Sequence, residues 1–199
     1  ITSPYFLKYM NDALRKYQNE EKVMHISGYM FPIETSSERD SFFLHLTNSW
    51  GWGTWSRAWK HFDSMSSGYD SLKMDVALKR EFNLNNSRPF FTMLENQLAG
   101  EVDSWAIRWY LSVFKLRGLS LVPSNSLVAN IGLDGSGTHC GVEEKRLTAI
   151  QPDFMVNSFP EEIIEHLVNR TLIERFFLSD IQPDNFLNKV KHRFQQLLK

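Results

Sequence analysis

Apolar side chains at Phe6, Leu7, Met10, Leu14 and Tyr17 fall three and four residues apart. That period places them on one side of an α-helix. Ser3-Pro4 ahead of them supplies a capping hydroxyl and a first-turn proline, and the helix is expected to end near Asn19. Residues 23–27 form a short apolar run closed by Gly28, the pattern of a buried strand. Residues 29–33 and 41–46 suggest two more strands, separated by a polar loop over 34–40. Asn48 to Gly53 is a glycine- and tryptophan-rich loop. Helices are expected over 54–62, 71–80, 90–98 and 105–116, the last two stopped by Gly100 and Gly118. Strands should flank Pro123 over 119–122 and 127–130. A glycine-rich loop covers 131–141, and 142–160 has no clear period. A helix over 161–178 would carry Ile163, Ile164, Leu167, Val168 and Leu172 on one face, and a last amphipathic helix would run over 184–198.

Taken together the elements read as helix-rich with short strands between, ending in a helical C-terminal tail. The expected organisation is a body over 1–141, a linker over 142–160 and the tail over 161–199. With 199 residues and 42% of them apolar, the chain can bury a full core. The 22 basic and 23 acidic residues cancel to a net charge of -1, which argues against nucleic acid as a partner. Cys140 is the single cysteine, so neither an internal disulfide nor a multi-cysteine zinc site can form. No apolar run approaches the ~20 residues of a membrane span, and the first residues lack the basic flank and apolar core of a signal region. The opening at Ile1, with a helix start directly behind it, reads as a piece of something longer.

All six tryptophans lie between 50 and 109. An indole offers a broad apolar face and one N–H donor, which suits the flat C–H face of a sugar ring as well as a protein core. Helical spacing assigns Trp55, Trp59 and Trp109 to the core. Trp50 and Trp52 stand among Asn48, Ser49, Gly51 and Gly53, where a ligand can approach the backbone closely, and both roles stay open for them. Asp103 precedes the most apolar helix. It reads either as the helix N-cap or as a general base held at a rigid helix end. The loop 132–141 carries Ser136, Thr138 and His139 between four glycines. It is either a plain connection or a lid over a phosphate-bearing ligand. His139 and Cys140 are adjacent and lack partners at metal-ligand spacing, so no metal ligand is assigned. The tripeptides at Asn85 and Asn169 match the glycosylation pattern by chance. Lys189, Lys191, Arg193 and Lys199 give the last helix a basic face suited to water or to an anionic membrane surface.

Three segments carry a resemblance. Ser3-Pro4-Tyr5-Phe6-Leu7-Lys8-Tyr9, Asn48-Ser49-Trp50-Gly51-Trp52-Gly53-Thr54-Trp55 with Trp59, and Val102-Asp103-Ser104-Trp105 through Ser126 to Gly141 occur in that order. The set resembles the acceptor-side, C-terminal half of bacterial family 2-type GT-A glycosyltransferases. It is more distantly similar to the animal N-acetylglucosaminyltransferase that begins N-glycan branching. The first segment is similar to the helix that follows the families' acidic metal-binding motif, the second to their Gly-Trp segment, and the third to their Trp-Asp-Asp-Trp segment and sugar-nucleotide loop. Ser104 stands where the second acid of that last motif often stands, and the acidic motif itself and the nucleotide-binding half are not in this sequence.

The resemblance implies an α/β fold, the C-terminal half of a GT-A domain with a short mixed sheet flanked by helices, and an inverting transferase that moves a sugar from a nucleotide sugar to a hydroxyl of a glycan or lipid-linked acceptor. Asp103 falls on the position of the catalytic base. Trp50 and Trp52 would shape the sugar pocket, and Ser136, Thr138 and His139 would contact the diphosphate. A divalent metal, Mn or Mg, is implied, with its main ligand upstream of Ile1. The resemblance further suggests bacterial polysaccharide synthesis in the cytoplasm or at the inner membrane face, and a half-domain would recover burial as a homodimer. A non-catalytic carbohydrate-binding or protein-interaction module is the alternative.

Overall fold

The computed structural model describes residues 1–131 and 148–179. Four strands, β1 (Val23–Ser27), β2 (Ser41–Leu44), β3 (Trp52–Gly53) and β4 (Leu119–Pro123), form one mixed sheet in the order β2-β4-β1-β3. The central pair β1 and β4 is parallel, and β2 and β3 add antiparallel at the two edges. A parallel pair needs a long crossover. Here it is supplied by α2 (Ser56–Trp59), α3 (Tyr69–Met74), α4 (Val76–Phe82), α5 (Phe90–Leu98) and α6 (Trp105–Lys115). The architecture is therefore mixed α/β, a small four-stranded sheet with helices, in agreement with the expected α/β class.

Both faces of the sheet are buried, which is why β1, β2 and β4 read as continuous apolar runs. On one face α1 (Phe6–Lys16) packs Tyr9, Met10 and Ala13 against Val23, Ile26, Phe43, Leu119 and Leu121. On the other, Phe42, Leu44 and Val122 meet Leu72, Phe82, Leu94, Ile107 and Leu111 of the crossover helices. Alternate residues of β2 point to opposite faces, as strand geometry requires. β1 breaks that rule. Val23 and Ile26 share the α1 face although they are three residues apart, because the register shifts between Val23 and His25. The bulge turns both Met24 and His25 toward α6.

Several elements differ from the expected ones for identifiable reasons. Residues 29–33 form no strand: the N–H groups of Tyr29 and Met30 donate to the hydroxyls of Ser27 and Ser126 instead of to a neighbouring strand. Around 127–130 there is only an isolated bridge, Thr2 to Val128. The helix at 54–62 is a single turn, α2. The helix expected over 71–80 is two, because Asp75 is extended and its Oδ1 accepts from the N–H groups of Ala77 and Leu78, restarting the chain as α4. α1 starts at Phe6 and has Tyr5 at the N-cap position, while Ser3 Oγ accepts from the Tyr5 N–H.

The C-terminal part departs most. Phe154, Val156 and Phe159 pack in the α1-side core, and the following residues close the outer edge of β2. Ser41 Oγ donates to the Ser158 carbonyl, and the His166 N–H donates to the Phe43 carbonyl. The helix expected from 161 begins as α7 (Leu167–Ser179), since 161–166 is spent along that edge. Its buried side is Asn169, Ile173 and Phe177, whereas Ile164, Leu167 and Val168 are exposed. Asn169 is inside because its Oδ1 accepts from the Ser36 N–H, a bond that hydrophobic patterning cannot see. The expected helix 184–198, with its basic face, lies outside the described residues. Among the described residues no helix is long and apolar enough to cross a membrane.

This packing makes α7 part of the core. Ile173→Ala should lower unfolding free energy by about 2–5 kcal/mol, whereas Val168→Ala on the exposed side should change it by about 0.5 kcal/mol or less. Urea titration of the two variants measures the contrast, and equal losses would place the wrong face inward.

Candidate functional site

The site is built on the bulge in β1. His25 is 1% exposed, and both of its ring nitrogens are bonded. The Trp109 indole N–H donates to Nδ1 at 3.0 Å. An indole can only donate, so Nδ1 is the unprotonated nitrogen and Nε2 carries the hydrogen. Nε2 then donates to the Asn48 carbonyl at 2.9 Å. One imidazole thus ties β1 to α6 and to the loop before β3. Burial lowers its pKa to about 3, outweighing the opposing effect of the Asn48 hydrogen bond, so the ring stays neutral at ordinary pH.

The loop 48–51 is shaped by two residues. Asn48 Oδ1 accepts from the Trp50 N–H at 2.9 Å, a side-chain-closed turn. Gly51 has φ +58° and passes close to Val128, and its carbonyl accepts from the Gly28 N–H at 2.6 Å. No side chain fits there: an added Cβ would stand 2.5 Å from Val128 Cγ2. The turn sends Trp50 and Trp52 to different neighbours. Trp50 packs edge-on against Tyr29, with ring centres 4.5 Å apart. Trp52 stacks on His25 at 5.3 Å and leans on Trp105 at 5.0 Å.

Between this loop and the start of α6 lies a cavity of ≈ 150 Å³. Backbone and side chains of residues 47–50 form one wall, and Ser104, Trp105 and Trp109 another; Arg88, Met93 and Phe177 close the remaining side. Its lining is mainly aromatic with a few polar groups, the usual make-up of a small-molecule site.

Asp103 immediately precedes that second wall and is exposed. It is not the helix cap. Ser104 holds the N-cap position, and the Ser104 N–H is taken by Gln97 Oε1. The Asp103 carboxylate makes no hydrogen bond or ion pair among the described residues, so the capping role is set aside. Asp103 does not itself line the cavity. Trp50 does, and Trp52 sits behind Trp105. Ser136, Thr138, His139 and Cys140 lie outside the described residues.

Tryptophans assigned to the core by spacing divide. Trp109 is 1% exposed, but Trp59 is 39% exposed and touches Trp52, Trp105 and Phe62. Trp55 is half-buried, with its N–H donated to the Leu14 carbonyl. Sequence reasoning missed His25, whose signal was a lone titratable residue inside an apolar strand. It also missed Arg88 and Phe177, which reach the cavity from distant segments. Asn169 is fully buried and bonded to Ser36, in keeping with a chance glycosylation tripeptide. Among the described residues no group of three or more His, Cys, Asp or Glu side chains could hold a metal.

No protein-family model, curated protein or solved structure matches this chain.

Two outcomes follow from this geometry. Gly51→Ala forces a side chain into a left-handed backbone and against Val128, and should cost about 1–3 kcal/mol while disturbing Trp50; denaturant melts and the Trp50 indole N–H resonance report both. His25 makes stability depend on acid. In the unfolded chain its pKa is about 6.5, so as pH falls below that value the unfolded state takes up a proton that the folded state refuses. Stability is therefore complete above about pH 6.5 and is lost progressively as pH falls toward the folded-state value of about 3. The loss from this group should reach about 2 kcal/mol at pH 5. In His25→Gln, urea titrations at pH 7 and pH 5 should differ by that much less; an unchanged pH dependence would show that another group is responsible.

Proposed function

We propose that this chain is the acceptor-side half of an inverting GT-A-type glycosyltransferase, acting on a nucleotide sugar and a glycan or lipid-linked hydroxyl. The observation that carries the reading is a convergence. Two segments that bear the resemblance, 48–55 and 102–105, are far apart in sequence yet form opposite walls of one aromatic cavity, with an uncommitted carboxylate beside it.

In this reading the Asp103 carboxylate accepts the proton of the acceptor hydroxyl. The oxygen forms a bond to the anomeric carbon from the face opposite the donor diphosphate. The bond to the diphosphate oxygen breaks with its electron pair, and the nucleoside diphosphate leaves. Positive character at the anomeric carbon is largest midway, as in glycosyl transfer generally. Trp50 and Trp105 flank the reacting sugar, and their rigidity comes from the His25 bonds behind them. The implied Mn or Mg would stabilise the departing diphosphate, with its main ligand upstream. A cytoplasmic site at the inner membrane face and a homodimer belong to the same proposal.

A second reading, carbohydrate binding without catalysis, is favoured by one observation: Trp59 and Trp105 remain 39% and 40% exposed. Asp103→Asn separates the two. In the enzyme extended upstream to include the acidic motif, kcat should fall roughly 10²–10⁴-fold with donor affinity retained. Stability should move by about 0.5 kcal/mol or less, since Asp103 is exposed and caps nothing. Unchanged turnover would remove Asp103 from the reaction.

A further inference from the structure

Outside the cavity, on the far side of Trp105, lies a second aromatic feature. Trp52 stands between Trp59, at 5.8 Å, and Trp105, at 5.0 Å. Trp59 and Trp105 are themselves 6.3 Å apart and nearly perpendicular, at 71°. Phe62 stacks flat on Trp59 at 4.6 Å. The array is held from beneath by Trp109 and by the clamped His25 ring stacked on Trp52.

Exposed tryptophans are costly surface and mark binding sites when they cluster. Their polar ends point to the kind of ligand. The N–H groups of Trp55 and Trp109 are spent inside the protein, on the Leu14 carbonyl and on His25. Those of Trp52, Trp59 and Trp105 make no hydrogen bond among the described residues. The array therefore offers apolar faces together with unused donors at their rims. An aliphatic partner uses the faces and not the donors; a pyranose ring uses both, its C–H face on the indole and its hydroxyls on the N–H. Trp105 belongs to both features, so a chain of sugars could run unbroken from the cavity onto the array.

We infer that Trp52, Trp59 and Trp105 form a glycan-binding platform that holds the sugar units of the acceptor next to the one that reacts. The identification of the ligand as the acceptor rests on the transferase reading; the binding of a sugar chain does not. The platform favours oligosaccharides over single sugars, because one ring cannot fill the cavity and span the array.

The test is intrinsic tryptophan fluorescence of the 199-residue chain titrated with chitotriose, cellotriose, maltotriose and glucose, and with phosphatidylcholine vesicles. At least one trisaccharide should shift the emission saturably, with glucose much weaker and vesicles silent. Trp59→Ala should weaken that binding by about tenfold or more. Trp59→Leu, which keeps apolar packing against Phe62 and Trp109 but has no aromatic face, should weaken it similarly while retaining the wild-type melting temperature within a few degrees. Overturning results are no response to any of the three trisaccharides, a response to vesicles alone, or full binding by folded Trp59→Leu. The outcome is separable from the Asp103 experiment. Trisaccharide binding without any turnover in the extended protein keeps the platform and removes the transferase; turnover without trisaccharide binding does the reverse.

Discussion

A neutral, buried histidine holds the site together. His25 joins three pieces through its side chain: the bulged central strand, the helix that begins beside the cavity, and the loop that carries Trp50, which the Gly28 N–H to Gly51 carbonyl bond also ties to the end of that strand. It can do so because its two nitrogens have opposite roles, one accepting from the Trp109 indole and one donating to the Asn48 carbonyl. Protonation would make both nitrogens donors and set an N–H against an N–H. The same burial that lowers its pKa therefore protects the geometry that the site depends on.

The bulge in β1 is what makes that clamp reachable. Without the register shift, strict alternation would place Met24 and His25 on opposite faces. With it, Met24 fills space beside Ala58, Trp109 and Val113 while His25 bonds to the same Trp109. The cost of one irregular pairing is offset by a buried imidazole with both nitrogens satisfied. Gly51 plays a similar part nearby, since its left-handed backbone and close approach to Val128 let the loop reach the clamp with Trp50 and Trp52 directed apart.

Strands β1, β2 and β4 and helices α1, α5 and α6 were legible because each is announced by local period and punctuation. Phe90–Leu98 and its stop at Gly100, whose φ is +75°, are the clearest case. What was not legible depended on bonds between distant residues. Asp75 splits a helix through its own side chain, Ser126 draws Met30 out of strand geometry, and Asn169 turns inward for Ser36. At the cavity, Trp50 was legible from its glycine-rich setting, whereas Trp52, singled out on the same ground, packs behind Trp105. Asp103 was singled out by its place before α6, where Ser104 takes the N-cap position and Asp103 stands beside the cavity without lining it. His25 was passed over because, inside an apolar run, it looked like part of the core, which it is; its function there is to be bonded on both sides.

The claim that all of this rests on is the protonation state of one ring. Nitrogen-15 NMR of the His25 imidazole reads it directly. The clamp requires an unprotonated Nδ1 and a protonated Nε2, with both signals unchanged from neutral pH down to about pH 4.5, well below the ordinary histidine value of about 6.5. A ring that titrates near that ordinary value, or that carries its proton on Nδ1, would contradict the clamp and with it the arrangement of the cavity walls.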